Sequence, residues 1–126
     1  MKASELRIGN WIYRSFTKED VKILGINAYE TVSDGIVNSL SFKNGINLYC
    51  ENISVLKPIT LTEEWLLKFG IIDGDLFMTL FFIKKSIARD SYLIYFDDES
   101  LGIYIDYVHQ LQNLFFVLTN TELQTT

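Results

Sequence analysis

Two turn dipeptides constrain this chain most. Asp34-Gly35 and Asn44-Gly45 interrupt a stretch of β-branched and aromatic residues, and tight hairpins need the positive φ that Gly, Asn and Asp accept most readily. The runs between such breaks (residues 7–13, 21–28, 36–42 and 46–50) have strand length and strand composition. A fifth short run, 53–56, stops at Lys57-Pro58, where the residue before proline is biased towards an extended backbone. Five short strands in about fifty residues predict a small, strongly bent sheet or closed β-barrel lobe.

The chemistry changes at residue 60. Leu61, Trp65 and Phe69 fall at i, i+4 and i+8, along one side of a short helix. Thr60 with Glu63 fits a capping box, and Thr62 is an alternative N-cap with Glu63 and Glu64 favourably placed at the positive helix end. Gly70 stands where a left-handed stop belongs. Residues 77–84, 92–96 and 102–105 read as three antiparallel strands, with Asp73-Gly74 before them and residues 97–100 as a charged turn. Val108, Leu111, Leu114, Phe115 and Leu118 then give one apolar face to a helix over 107–119, with Asp106 as its expected N-cap and Asn120 as its stop. The expected fold is α+β, one domain over 1–126. An SH3-like or bent β-barrel lobe (1–60) precedes a helix, a three-stranded antiparallel sheet and a C-terminal helix (61–126).

Composition narrows the function. A chain of 126 residues with 48% hydrophobic residues can bury a core without cross-links. Cys50 is the sole cysteine and His109 the sole histidine, so no intrachain disulfide forms and neither a metal site nor a cofactor is expected. The N-terminus lacks the apolar stretch of a signal peptide, and the longest apolar run is far short of the ~20 residues that span a bilayer. A cytoplasmic protein without membrane contact is expected. Residues 1–60 hold seven Lys/Arg and six Asp/Glu, whereas 61–126 hold four and ten. Neither half offers the basic stripe that nucleic-acid binding requires.

Three segments carry a resemblance: residues 1–11 (MKASELRIGNW), 58–70 (PITLTEEWLLKFG) and 107–119 (YVHQLQNLFFVLT). Together they resemble a family of small uncharacterised proteins from gut-bacterial genomes, prophages and phages. The family often has Gly where this chain has Asn120, and Pro where it has Thr60. The resemblance implies a phage or mobile-element origin and brings no activity, cofactor or catalytic residue with it.

The candidate interaction residues are few. His109, Gln112 and Asn113 lie at i, i+3 and i+4 of the last helix and share one stripe. That stripe either hydrogen-bonds a partner or satisfies backbone groups within the fold. Trp11, Tyr13, Tyr29 and Tyr49 either anchor a partner or fill the first lobe. No motif ties Ser91, Cys50 or Asp106 to His109, and no phosphate-binding glycine loop or nucleophile elbow occurs, so an enzyme is not expected. Asp97, Asp98 and Glu99 read as a solvated turn, since adjacent residues seldom converge on one cation. The second lobe carries more large rings than one sheet face can bury, which points to cover by the other lobe or by a second subunit, hence to a homo-oligomer. The expected function is non-enzymatic binding of a host or phage protein. The rival is a small-ligand binder that sequesters a nucleotide-like signal, with Arg7, Arg14, Lys84 and Arg89 as candidate phosphate contacts.

Overall fold

A computed structural model describes residues 1–31, 35–44, 46–76 and 80–125. The chain divides into two compact units, Met1–Ile59 and Thr60–Thr126. Both strands and helices are present, so the fold is α+β.

The first unit is a five-stranded antiparallel sheet of order β4-β3-β2-β1-β5. Its strands are β1 (Trp11–Arg14), β2 (Glu19–Thr31), β3 (Gly35–Asn44), β4 (Asn47–Asn52) and β5 (Leu56–Lys57). β4 and β5 are its two free edges, so the sheet remains open where a closed barrel was one expectation. The first strand also starts later than the composition suggests. Arg7 to Asn10 form a turn in which Gly9 takes φ 98° and the Arg7 amide donates to Asn10 Oδ1 at 2.7 Å. Two backbone bonds, Gly9 to Ile23 and Ile23 to Asn10, fasten this turn to β2. Residues 53–55 form a single 3₁₀ turn, capped by the Asn52 side chain, where a strand was expected. The register of β2 on β3 slips between Ile23 and Gly25, a bulge that increases local bending. Leu6, Ile12, Val21, Ile23, Leu40, Phe42 and Leu56 form the core on the inner face. The turn signals at Asp34 and Gly45 lie outside the described residues.

In the second unit, α1 (Glu63–Lys68) is capped by Thr62, whose Oγ1 accepts from the Trp65 amide at 3.3 Å. Of the two caps the sequence allows, the structure uses this one. The helix ends as a Schellman motif: the Gly70 amide donates to Leu67 O and the Ile71 amide to Leu66 O, with Leu66 and Ile71 both buried. The three-stranded sheet has the order β6-β7-β8, from β6 (Phe81–Lys85), β7 (Tyr92–Phe96) and β8 (Glu99–Ile105). The expected start of the first of these strands, at Phe77, lies outside the described residues. Asp97 and Asp98 alone make the hairpin turn, both with positive φ, so Glu99 and Ser100 already belong to β8.

α2 (Val108–Thr119) begins one residue later than expected. Tyr107, not Asp106, is the N-cap. Gln110 Oε1 reaches back to accept from the amides of Asp106 and Tyr107, at 2.9 and 3.0 Å. Asn120 ends the helix in the left-handed conformation. The buried stripe is Val108, Leu111, Gln112 and Phe115, with His109, also buried, beside it. Leu114 and Leu118 are only half-buried, so the packed face is rotated towards the two polar residues.

Asp73 and Gly74 both take positive φ, and the Asp75 amide donates to Ile72 O at 3.1 Å, closing a two-residue turn. Gly74 O accepts from the Ile83 amide, and a Cβ at Gly74 would lie 2.3 Å from Ile83 O. At Gly102, also left-handed, an added Cβ meets nothing within 4 Å. Gly74→Ala should therefore cost roughly 2–4 kcal/mol of stability, against about 1 kcal/mol for Gly102→Ala. Urea unfolding of the two variants checks this; equal losses would show that the close approach at Gly74 has no energetic weight.

Candidate functional site

Two residues of the polar stripe of α2 are buried and the third is half-buried. His109 and Gln112 are 2% and 1% accessible, and Asn113 is half-buried. The His109 ring stacks on Tyr107, with centroids 5.8 Å apart and planes within 7°. On β1 the pleat turns Ile12 and Arg14 to the buried face and leaves Trp11 and Tyr13 half-buried on the other. Of the five candidate residues, Trp11 and Tyr13 belong to the first unit and His109, Gln112 and Asn113 to the second.

Arg14, which the sequence offers as a solvated cation or a phosphate contact, organises the inner face of the first unit. Arg14 donates from Nε to Glu51 Oε1 at 2.7 Å, and Nη2 donates to the same oxygen. Its guanidinium lies 4.7 Å from the Tyr49 ring centre and 5.1 Å from that of Phe42. Those two rings stack on each other at 6.0 Å. Glu19 adds a longer ion pair at 3.8 Å. The hydrogen bond to Glu51 and the neighbouring carboxylates raise the Arg14 pKa above its ordinary value, so its charge is permanent. Arg14 is thus satisfied inside its own unit, which weighs against its use as a phosphate contact. The nearest local signal is its parity with Ile12 two residues earlier, which puts it on the inner face.

The cations of the second unit are also engaged. Lys84 lies over Tyr95 at 5.3 Å, and Arg89 over Tyr104 at 4.1 Å. Lys85 sits over Tyr92 at 5.0 Å and bonds Asp90 at 2.7 Å. That bond lowers the Asp90 pKa below the usual carboxylate range and raises that of Lys85. Lys68 pairs with Glu64 one helical turn away.

Among the features open to a ligand or partner, two lie in the second unit. One is the hairpin end of the three-stranded sheet. Phe81 and Phe96 face each other across β6 and β7, with ring centres 4.9 Å apart. The Asp97 amide donates to Leu80 O, which ties Leu80 to this end. Opposite Ile94, β8 carries two residues more than its partner strand, because Tyr104 pairs with Leu93 but Ser100 pairs with Tyr95. This bulge holds Leu101, Gly102 and Ile103 at an edge of the sheet. Leu80, Phe96, Leu101 and Ile103 keep 56%, 40%, 44% and 40% of their surface accessible. Sequence reading saw the surplus of aromatic residues here. It did not foresee that the bulge would expose two aliphatic side chains as well.

The other feature is a cleft of about 560 Å³ beside α1. Leu66, Ile71 and Ile83 contribute apolar lining, while Asp73, Lys84 and Tyr92 supply polar groups. Among the described residues, no group of three or more His, Cys, Asp or Glu is placed to hold a metal ion. No helix among them is long and apolar enough to cross a membrane.

Two outcomes follow. Arg14→Met, which leaves Glu51 without its cation, should lower the melting temperature. Arg14→Met with Glu51→Leu should recover much of that loss, since removing both charges avoids the uncompensated one. Additive losses would show the pair to be uncoupled. Separately, the lowered Asp90 pKa means that its bond to Lys85 stabilises the fold above the ordinary carboxylate pKa. That contribution is lost as pH falls through the lowered value. Lys85→Met should return Asp90 to the ordinary range in an NMR titration; an unchanged midpoint would remove Lys85 as the cause. Comparison of the chain with protein-family models, curated proteins and solved structures finds no match.

Proposed function

We propose that this chain is a non-enzymatic interaction module of phage or prophage type, acting in the cytoplasm on a host or phage protein. The observation that carries the reading is the apolar hairpin end of the second unit, where Phe96, Leu101 and Ile103 stand exposed on hydrogen-bonded strands. Exposed apolar side chains close together on paired strands are candidates for a binding surface, because a pre-ordered backbone loses little entropy on docking. In the first unit, strand order β4-β3-β2-β1-β5 and a 3₁₀ turn before β5 support an SH3-like reading. Its exposed Phe16, at the β1–β2 turn, is a further candidate contact.

Affinity capture from a host lysate tests this. Wild-type protein should retain a partner that Leu101→Ser with Ile103→Ser loses, while circular dichroism and thermal melting show the variant folded. Retention of the same partner by both proteins would remove the hairpin end from the interaction.

The cleft beside α1 supports a second reading, an oligomeric small-ligand binder. Its volume of about 560 Å³ falls in the range that small molecules occupy. Native mass spectrometry separates the two readings. A multimer carrying an extra mass of small-molecule size favours the ligand reading; bare protein favours the interaction module and, if monomeric, removes self-association.

A further inference from the structure

We infer that the apolar hairpin end docks a cationic, amphipathic segment of a partner protein. The inference rests on the interaction-module reading and names the chemistry of the partner. Asp97, Asp98 and Glu99 are all exposed; they follow Phe96 directly, and only Ser100 separates them from Leu101. No ion pair engages any of the three among the described residues, and each cation of this unit already has an internal partner. From Asp90 to the last residue the chain contains six carboxylate residues (Asp90, Asp97, Asp98, Glu99, Asp106 and Glu122) and no Lys or Arg. Within this unit, then, the three carboxylates at the hairpin turn have no cation paired with them.

A partner must bury Leu101, Ile103 and Phe96 to gain from the apolar contact. In doing so it brings its own side chains beside three carboxylates at the rim. A neutral or acidic segment would desolvate or repel those charges, whereas Lys or Arg would pair with them. Nucleic acid is disfavoured by the same charges. A second copy of the chain is a weaker fit, since residues 1–60 carry a net charge of only +1 and 61–126 carry −6. The bulge also bears on geometry: by breaking the regular ladder of β8 it disfavours strand addition along that edge, so side chains rather than backbone must supply the contact.

The test uses two labelled peptides of equal length, one alternating Lys with Leu and the other alternating Glu with Leu, and the full chain. Fluorescence anisotropy should show binding of the Lys–Leu peptide only, weakening as salt is raised. Amide shifts in an NMR titration should concentrate at residues 94–104. The variant Asp97→Asn, Asp98→Asn, Glu99→Gln leaves the apolar groups intact and should weaken the Lys–Leu complex about tenfold or more. Leu101→Ser with Ile103→Ser should abolish it. If the neutralised variant binds as tightly as wild type but the serine variant does not, the cationic partner is wrong and the docking surface stands. Binding insensitive to both variants, or shifts centred elsewhere, overturns the inference and the surface together. A dimer that the serine variant disrupts, with no binding of either peptide, assigns the surface to a second copy and also overturns the inference.

Discussion

An arginine buried in a sheet needs its counter-charge within reach, and in the first unit that need couples strands that are not neighbours. Arg14 is on β1 and Glu51 on β4, with β2 and β3 between them in the sheet order. At ~4.8 Å between adjacent strands, a flat sheet would hold β1 and β4 about 14 Å apart. That is beyond the combined reach of the two side chains once hydrogen-bonded. The sheet must therefore bend, and Phe42 and Tyr49 occupy the inner face beneath the guanidinium. The bulge in β2 at Ile23 and Gly25 provides a local means of bending. The ion pair and the curvature require each other, although β4 and β5 never meet to close a barrel.

The second unit is organised by chain reversals at left-handed positions. Gly70 stops α1, Asp73-Gly74 turns the chain, Asp97-Asp98 closes the β7–β8 hairpin and Asn120 stops α2. Each reversal fixes which residues lie opposite one another, and a two-residue turn at Asp97-Asp98 pairs Phe96 with Glu99. That register puts an aromatic ring and a carboxylate side by side at the hairpin end. The exposed surface is thus a consequence of turn geometry as much as of side-chain choice.

Much of this was legible in the sequence wherever a single local segment sufficed. Thr62, Gly70, Asp73-Gly74 and Asn120 each act through backbone bonds within a few residues, and their types announce those roles. The spacing of Leu61, Trp65 and Phe69 likewise foretold the buried side of α1. What failed needed partners distant in sequence or an irregular register. Arg14 and Glu51 are 37 residues apart, so no local pattern joined them. The α2 face was misjudged because Leu114 and Leu118 are apolar, yet the packing admits His109 and Gln112 instead. The β8 bulge left no mark beyond Gly102, because one glycine in a strand does not reveal how many residues will oppose its neighbour.

On the proposed reading, one set of residues at the hairpin end serves to keep copies apart and to recognise a partner. An edge strand with exposed Leu101 and Ile103 is a template for aggregation when it is flat and uncharged. Here the bulge interrupts the ladder, and Asp97, Asp98 and Glu99 place like charges wherever two copies would meet edge to edge. The same carboxylates that repel a second copy attract a basic segment, so the apolar groups can stay exposed without promoting indiscriminate contact. Selectivity of this kind comes from what the charges penalise as well as from what they attract. Two copies presenting this end would oppose six carboxylates across one contact, while a basic segment would meet three unpaired acceptors. The exposed apolar surface and the acidic rim are therefore one physical device, and removing either half changes what the other half can bind.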